Sequence, residues 1–233
     1  MMYYDFHIHS ALSPCGDVDM TPNNIVGLAK LIGLDAIAVT DHNTVGNVGA
    51  VMEAGKRVGI RVVPGMEVQT AEEVHILTLF PTQEAAGYVA ERVYRSLPEV
   101  PNRPEIFGEQ LLFDGEDRVI GREEKLLLSS SALSVNQLFS LVEEAGGLFA
   151  PAHVDRHSYS ILTNLGFLPP ELPIRWIELS RRVDCPEDYI GSRPDLAGLR
   201  VLRNSDAHYL TDLAEPDAAI EQIEALFPSG GRL

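Results

Sequence analysis

Tryptophan, cysteine and basic side chains are scarce in this 233-residue chain, which has one Trp, two Cys, and 18 Lys and Arg against 34 Asp and Glu. Each shortage excludes something. Cys15 and Cys185 lie far apart and lack the CxxC spacing of metal sites, so no disulfide framework is expected and both are read as reduced thiols. A net charge of −16 leaves few cations to displace counterions from a phosphate backbone, so tight binding to long duplex nucleic acid is not expected. No run approaches the roughly 20 apolar residues that cross a bilayer. The start MMYYDFHIHS also lacks the basic and apolar regions of a signal peptide. The expected location is the cytoplasm, with no membrane partner; oligomeric state is not readable.

What is present is enough for a core. Hydrophobic residues make up 45% and charged residues 22%, ordinary for a globular protein, and one domain spanning 1–233 is the default at this length. Seven apolar runs read as buried strands: 3–9, 35–40, 60–66, 74–80, 147–152, 175–179 and 199–203. Segments with helical periodicity lie between most of them, at 22–32, 45–58, 83–96, 135–145 and 214–227. Thr21-Pro22 and Asp212 mark helix starts, and Gly33 and Gly59 mark ends. That alternation implies an α/β fold of parallel strands wrapped by helices. The least regular stretch, 98–131, contains LLFDGEDRVIG, a hairpin pattern turning at Asp114-Gly115, and is read as an insertion.

The seven histidines are not scattered. His7 and His9 end the first strand, His42 follows the second, His153 the fifth and His208 the seventh. In parallel α/β architecture these strand ends face one surface. His75 is the exception, because it opens its strand. His7-Ile8-His9 has the period-2 spacing that sets both imidazoles on one side of a strand, a weak signal alone. Glu67 ends a hydrophobic run and delivers a carboxylate to the same edge, where it is the candidate bridge between two ions. Ser205-Asp206-Ala207-His208 alternates two further ligand types, and Asp17 is a loop candidate.

Taken together, HIHS, TDH, GMEV, PAH and SDAH resemble the PHP (polymerase and histidinol phosphatase) family in order and placement. The resemblance implies a distorted seven-stranded (β/α)7 barrel with a metal cluster at its carboxyl edge. It further implies that His7, His9, Glu67 and Asp206 hold one ion, that Glu67, His75 and His153 hold a second, and that Asp17, His42 and His208 hold a third. The loop SPCGDVD is longer than the usual form and carries Cys15, a soft ligand or a small buried thiol. Arg156 resembles a clamp for substrate phosphate. His157 is a pocket candidate, and Asp41 is read as supporting a ligand or the loop.

The implied activity is hydrolysis of phosphoric esters by two or three divalent ions of zinc, manganese or iron, with Asp206 or His208 assisting proton transfer. A small phosphorylated substrate, a phosphomonoester or nucleotide, is the expected partner. The alternatives are an exonuclease on short oligonucleotides and a metal-binding accessory domain without turnover. An amidohydrolase ranks lower, since no lysine stands at a fitting strand end.

Overall fold

The computed structural model describes residues 1–213 and 215–227. In chain order its elements are β1 (Met2–Ile8), α1 (Pro22–Leu31), β2 (Ala36–Val39), α2 (Val48–Val58), β3 (Arg61–Val62), β4 (Gly65–Gln69) and β5 (His75–Leu79). Then follow α3 (Gln83–Ser96), α4 (Pro104–Phe107), β6 (Leu111–Phe113), β7 (Val119–Arg122), α5 (Val135–Glu144) and β8 (Leu148–Pro151). The last are α6 (Ile161–Asn164), β9 (Trp176–Ser180), α7 (Pro186–Gly191), β10 (Arg200–Asn204) and β11 (Ala219–Ile220).

The fold is α/β, and local chemistry explains its elements. Proline stands at the start of α1, Ser134 and Gln137 close a capping box on α5, and Gly59 ends α2 in the left-handed conformation. The expected single run at 60–66 is split, because Pro64 has no N–H to give a ladder and separates β3 from β4. The helix expected at 214–227 does not form among the described residues, which hold β11 and a short 3-10 turn at Ile223–Leu226; Ala214 lies outside them.

The ladders do not close into one ring of parallel strands. They form four small sheets, ordered β11-β1-β2-β3, β4-β5-β8, β9-β10 and β6-β7. Isolated bridges join their edges, Ile8 to Ala207 and His42 to Glu67. β5 runs antiparallel to both β4 and β8. Apolar side chains fill two layers. Tyr4, Phe6, Ala38, Leu77, Ala150 and Leu202 pack between the sheets, while Met66, Val68 and Ile177 face α3 and α5 on the outside. No described helix is long and apolar enough to cross a membrane.

The hairpin of β6 and β7 forms where LLFDGEDRVIG places it and packs back on the first loop: Leu111 donates its N–H to the Ala11 carbonyl at 2.8 Å. Beside it Gly108 has φ +104°, and a Cβ there would collide with the Pro14 carbonyl. Gly108→Ala should therefore cost about 2 kcal/mol or more. A denaturation midpoint unchanged from wild type would contradict this close approach.

Candidate metal centre

A bulge in the first strand aims its histidines. β1 pairs Tyr4 with Ala36, Asp5 with Ile37 and then Ile8 with Val39, so β1 carries one residue more than β2 across this stretch. An extra residue exchanges the faces of a strand. Tyr4 and Phe6 point between the sheets, Ile8 packs outward with Ile25 and Val39, and His7 and His9 turn inward. The antiparallel course of β5 resolves the exception of His75. The first residue of a reversed strand lies at the edge where its neighbours end, and His75 sits directly opposite Gln69 on β4. His153 and Asp206 take φ of 32° and 53°, left-handed values that non-glycine residues adopt at a cost.

These elements place five imidazoles around one buried carboxylate. Glu67 Oε1 lies 3.3 Å from His7 Nε2, 2.9 Å from His75 Nδ1 and 3.2 Å from His153 Nε2. Its Oε2 lies 3.0 Å from His42 Nδ1 and 3.6 Å from His9 Nε2. Asp206 Oδ1 adds contacts of 3.3 Å to His7 Nε2 and 3.1 Å to His9 Nε2.

Several of these contacts join two acceptors. Gln69 donates its amide N–H to Ser130 Oγ at 2.8 Å, which turns its Oε1 toward His75 Nε2 at 3.1 Å. His75 thus carries its hydrogen on Nε2, and its Nδ1 lone pair faces Glu67. Ser13 gives its hydroxyl hydrogen to Asp41 at 2.7 Å and accepts from His9 Nδ1 at 3.0 Å. The Nε2 of His9 is therefore a lone pair facing Asp206. Burial drives His9 down to about 3 and lowers His75, so both rings are neutral near neutral pH. The Nε2 of His7 and the Nδ1 of His42 are buried without a hydrogen-bond partner despite these short distances.

Lone pairs packed on lone pairs need a cation among them. Donor atoms bound to a common ion at about 2.1 Å lie about 3.0 to 3.4 Å apart, and the contacts around Glu67, from 2.9 to 3.6 Å, bracket that spacing. The residues present therefore fit divalent metal. Potential ligand atoms gather in three overlapping groups: His7, His9 and Asp206; His42, Glu67 and His75; and His9, Cys15, His42 and His208.

The remaining candidates divide. His208 Nδ1 meets the Asp206 carbonyl at 2.8 Å, leaving Nε2 for a ligand. Arg156 is fixed on Asp206, with Nη1 2.6 Å from Oδ2. Asp41 accepts from Ser10 N, Ser10 Oγ and Ser13 Oγ, the supporting part expected of it. Asp17 stands outside the three groups, its carboxylate accepting from the Asp19 amide at 2.9 Å, and Cys15 takes the place beside His42 and His208. His157 is exposed and does not line the pocket over the cluster.

Charge follows this geometry. Burial works against the charged form of Glu67, but a proton on His75 or His7 would hold its carboxyl well below the usual range. Burial also opposes a proton on His7, and the carboxylates of Glu178, Asp206 and Glu67 outweigh it, keeping the ring well above the usual histidine value, so a cation binding at Nε2 must displace that proton. Burial raises the Cys15 thiol, whereas His42 and His208 bring it down to about 7.

Residues 5–160, two thirds of the chain and most of these ligands, match the model of the PHP domain. The chain belongs to the PHP domain family. It is 35% identical over 94 residues to a phosphoribosyl 1,2-cyclic phosphate 1,2-diphosphodiesterase of Eggerthella lenta, a match covering 38% of this chain and 35% of that protein. A 5′-3′ exoribonuclease of Haemophilus influenzae is 34% identical over 79 residues, covering 33% and 28%. These matches span about a third of each relative's length. The fold is similar to that of the lesion-specific endonuclease Q from Pyrococcus furiosus, with a TM-score of 0.71, 19% identity, and 99% of this chain and 56% of that one covered. A structure of endonuclease Q with a 27-mer duplex substrate carrying an abasic lesion gives a TM-score of 0.65 at 20% identity, covering 90% and 49%. The relatives so named hydrolyse phosphoric ester bonds, the reaction class the motifs imply.

One expectation is overturned. Net charge argued against duplex nucleic acid and for a small phosphorylated substrate, yet endonuclease Q, on the same fold, is named with a duplex and a sequence relative is an exoribonuclease. Net charge sums a whole surface, whereas a nucleic acid strand responds to the field at one mouth. At that mouth Arg156 stands, and cations, if held by the ligands, would add positive charge.

Two residues that orient the ligands escaped sequence reasoning, as did Tyr159 at the pocket rim. Glu178 is buried on β9 and accepts from His7 Nδ1 at 2.9 Å, from the His153 amide at 2.9 Å and from Asn204 Nδ2 at 2.7 Å. Gln69 orients His75. The available signal was period-2 spacing: Glu178 is the polar residue inside Trp176–Ser180, and Gln69 follows Glu67 by two. Removing a partner that orients a ligand typically weakens metal binding about 10- to 100-fold. Glu178→Gln should do so in a metal titration while the chain stays folded; unchanged affinity would contradict its role in fixing His7.

Proposed function

We propose that this PHP chain hydrolyses phosphodiester bonds in nucleic acid, admitting one strand end or one extruded nucleotide at a time. The supporting observation is the placement of the Glu67 cluster beneath a pocket of about 300 Å³ bordered by one guanidinium and one free aromatic face. Arg156 supplies the first. Tyr159 supplies the second: one face of its ring stacks on His75 at 4.6 Å and 13°, and the side chain is 45% exposed. A larger cavity of about 720 Å³, between Trp176, Leu199 and Phe227, lies at the amino ends of the strands and includes none of the ligand groups.

In this reading His7, His9, Glu67 and Asp206 hold one divalent ion and Glu67, His75 and His153 a second, with His42 at their edge. Bound there, such ions supply an activated water and neutralise charge on the phosphoryl oxygens. The imidazole and carboxylate donors accept zinc, manganese or iron. Arg156 presents its guanidinium to a phosphoryl oxygen. Asp206, which neighbouring histidines keep ionised against the effect of burial, anchors that arginine through Oδ2 while Oδ1 faces the ligands. Tyr159 offers its outer face to a base, a contact worth about 1–3 kcal/mol per base. The bridges between sheet edges support reading the major strands as a distorted barrel, one domain in which 98–131 is inserted.

The test is incubation of metal-reconstituted protein with end-labelled single-stranded and duplex DNA and RNA, beside phosphomonoesters. Nucleotide release or strand cleavage that chelator abolishes and metal restores is expected. Turnover of monoesters with every oligonucleotide intact would overturn the reading, and metal uptake without any turnover would favour an accessory role. Tyr159→Ala should raise KM for an oligonucleotide about 5- to 100-fold and leave an abasic phosphodiester unaffected; equal effects on both would remove the stacking role.

A further inference from the structure

The thiol at Cys15 is built into the cluster. Gly16 approaches so closely that a Cβ would stand 2.5 Å from the Ser10 carbonyl, and Gly108 presses on Pro14 in the same way. The following residue, Asp17, donates its N–H to the His208 carbonyl at 2.8 Å. Cys15 is thus clamped on both sides, opposite His208, by the first loop and the 98–131 segment. The donor atoms of His9, Cys15, His42 and His208 lie within 4.8 Å of one another. His42 is buried, with its Nδ1 3.0 Å from Glu67 and lacking a hydrogen-bond partner. His208 has its hydrogen committed to the Asp206 carbonyl.

We propose that Cys15 is a metal ligand, completing with His42 and His208 a thiolate-bearing subsite that takes zinc in preference to manganese. His9 borders the subsite, but its one free lone pair is shared with the ion at Asp206. The carboxylate of Asp17, the acid expected there, is held by Asp19 instead. Replacing a hard oxygen donor by sulfur changes which metal is favoured, since thiolate and imidazole suit zinc while manganese favours oxygen. The cluster is thereby divided into a carboxylate-centred pair open to several metals and a sulfur-bearing site with a narrower choice. This inference rests on the metal-dependent reading above and extends it to one side chain of this chain.

The experiment uses the full chain in a Cys185→Ser background, so that Cys15 is the single thiol. Cobalt loading should give a thiolate-to-cobalt charge-transfer band in the near ultraviolet, and Cys15→Ser in that background should lose the band and one metal equivalent. Zinc at a hundred times its dissociation constant should slow alkylation of Cys15 by iodoacetamide roughly a hundredfold. That readout needs no change at Cys15 and decides the matter if Cys15→Ser does not fold. Loaded protein with no band, or alkylation at one rate with and without zinc, overturns the proposal. The outcomes separate from those of the function: a band without hydrolysis sinks only the nuclease reading, and hydrolysis without a band sinks only the thiolate.

Discussion

Glu67 sits almost out of reach of water, with five histidine rings within 3.6 Å of its two oxygens. Burying a carboxylate costs several kcal/mol unless opposite charge or hydrogen bonds meet it. Here part of what meets it is other lone pairs, because Gln69 and Ser13 have claimed the ring hydrogens of His75 and His9 from behind. The rest of the structure follows from that constraint. The bulge in β1, the reversal of β5 and the left-handed residues His153 and Asp206 all bring a donor atom to one point. A protein selected for stability alone would fill this volume with apolar side chains; this one keeps a site whose charges balance when divalent ions are present.

The second layer is as organised as the first. Glu178 and Asn204 form a polar floor between the ligands and the apolar layer of Phe6, Leu77 and Leu202, tying β9 and β10 to β1 through the Phe6 amide, which donates to Asn204 Oδ1 at 2.8 Å. Asp41 and Ser13 do the same for the loop that carries Cys15. Ligand orientation is therefore fixed by backbone geometry and by buried hydrogen bonds, and the pocket above is left to Arg156 and Tyr159, the two residues able to meet a phosphate and a base.

Much of this was legible in the chain. Strand-end histidines, Glu67 and the SDAH segment pointed to the cluster, because metal sites are written in residue type and spacing. The direction of β5 was not legible: an apolar run reads alike in either orientation, and only its antiparallel partners show that His75 belongs with the others. The last helix failed because its periodicity was outweighed by the pairing of Ala219 and Ile220 with β1. Glu178 was hidden within an apolar strand, and the position of Cys15 beside His42 and His208, with Asp17 outside that group, depends on a turn that no spacing reveals. The inference from acidity failed for a different reason, since it averaged over a surface what a substrate meets at one mouth.

Anomalous diffraction at the zinc and manganese edges, from crystals of the full chain grown with each metal, is the most direct test of the Glu67 cluster. The account requires a peak on each side of the Glu67 carboxylate, one toward His7 and Asp206 and one toward His75 and His153. Crystals saturated with either metal that show no peak beside Glu67, with its oxygens satisfied by protonated imidazoles alone, would contradict it.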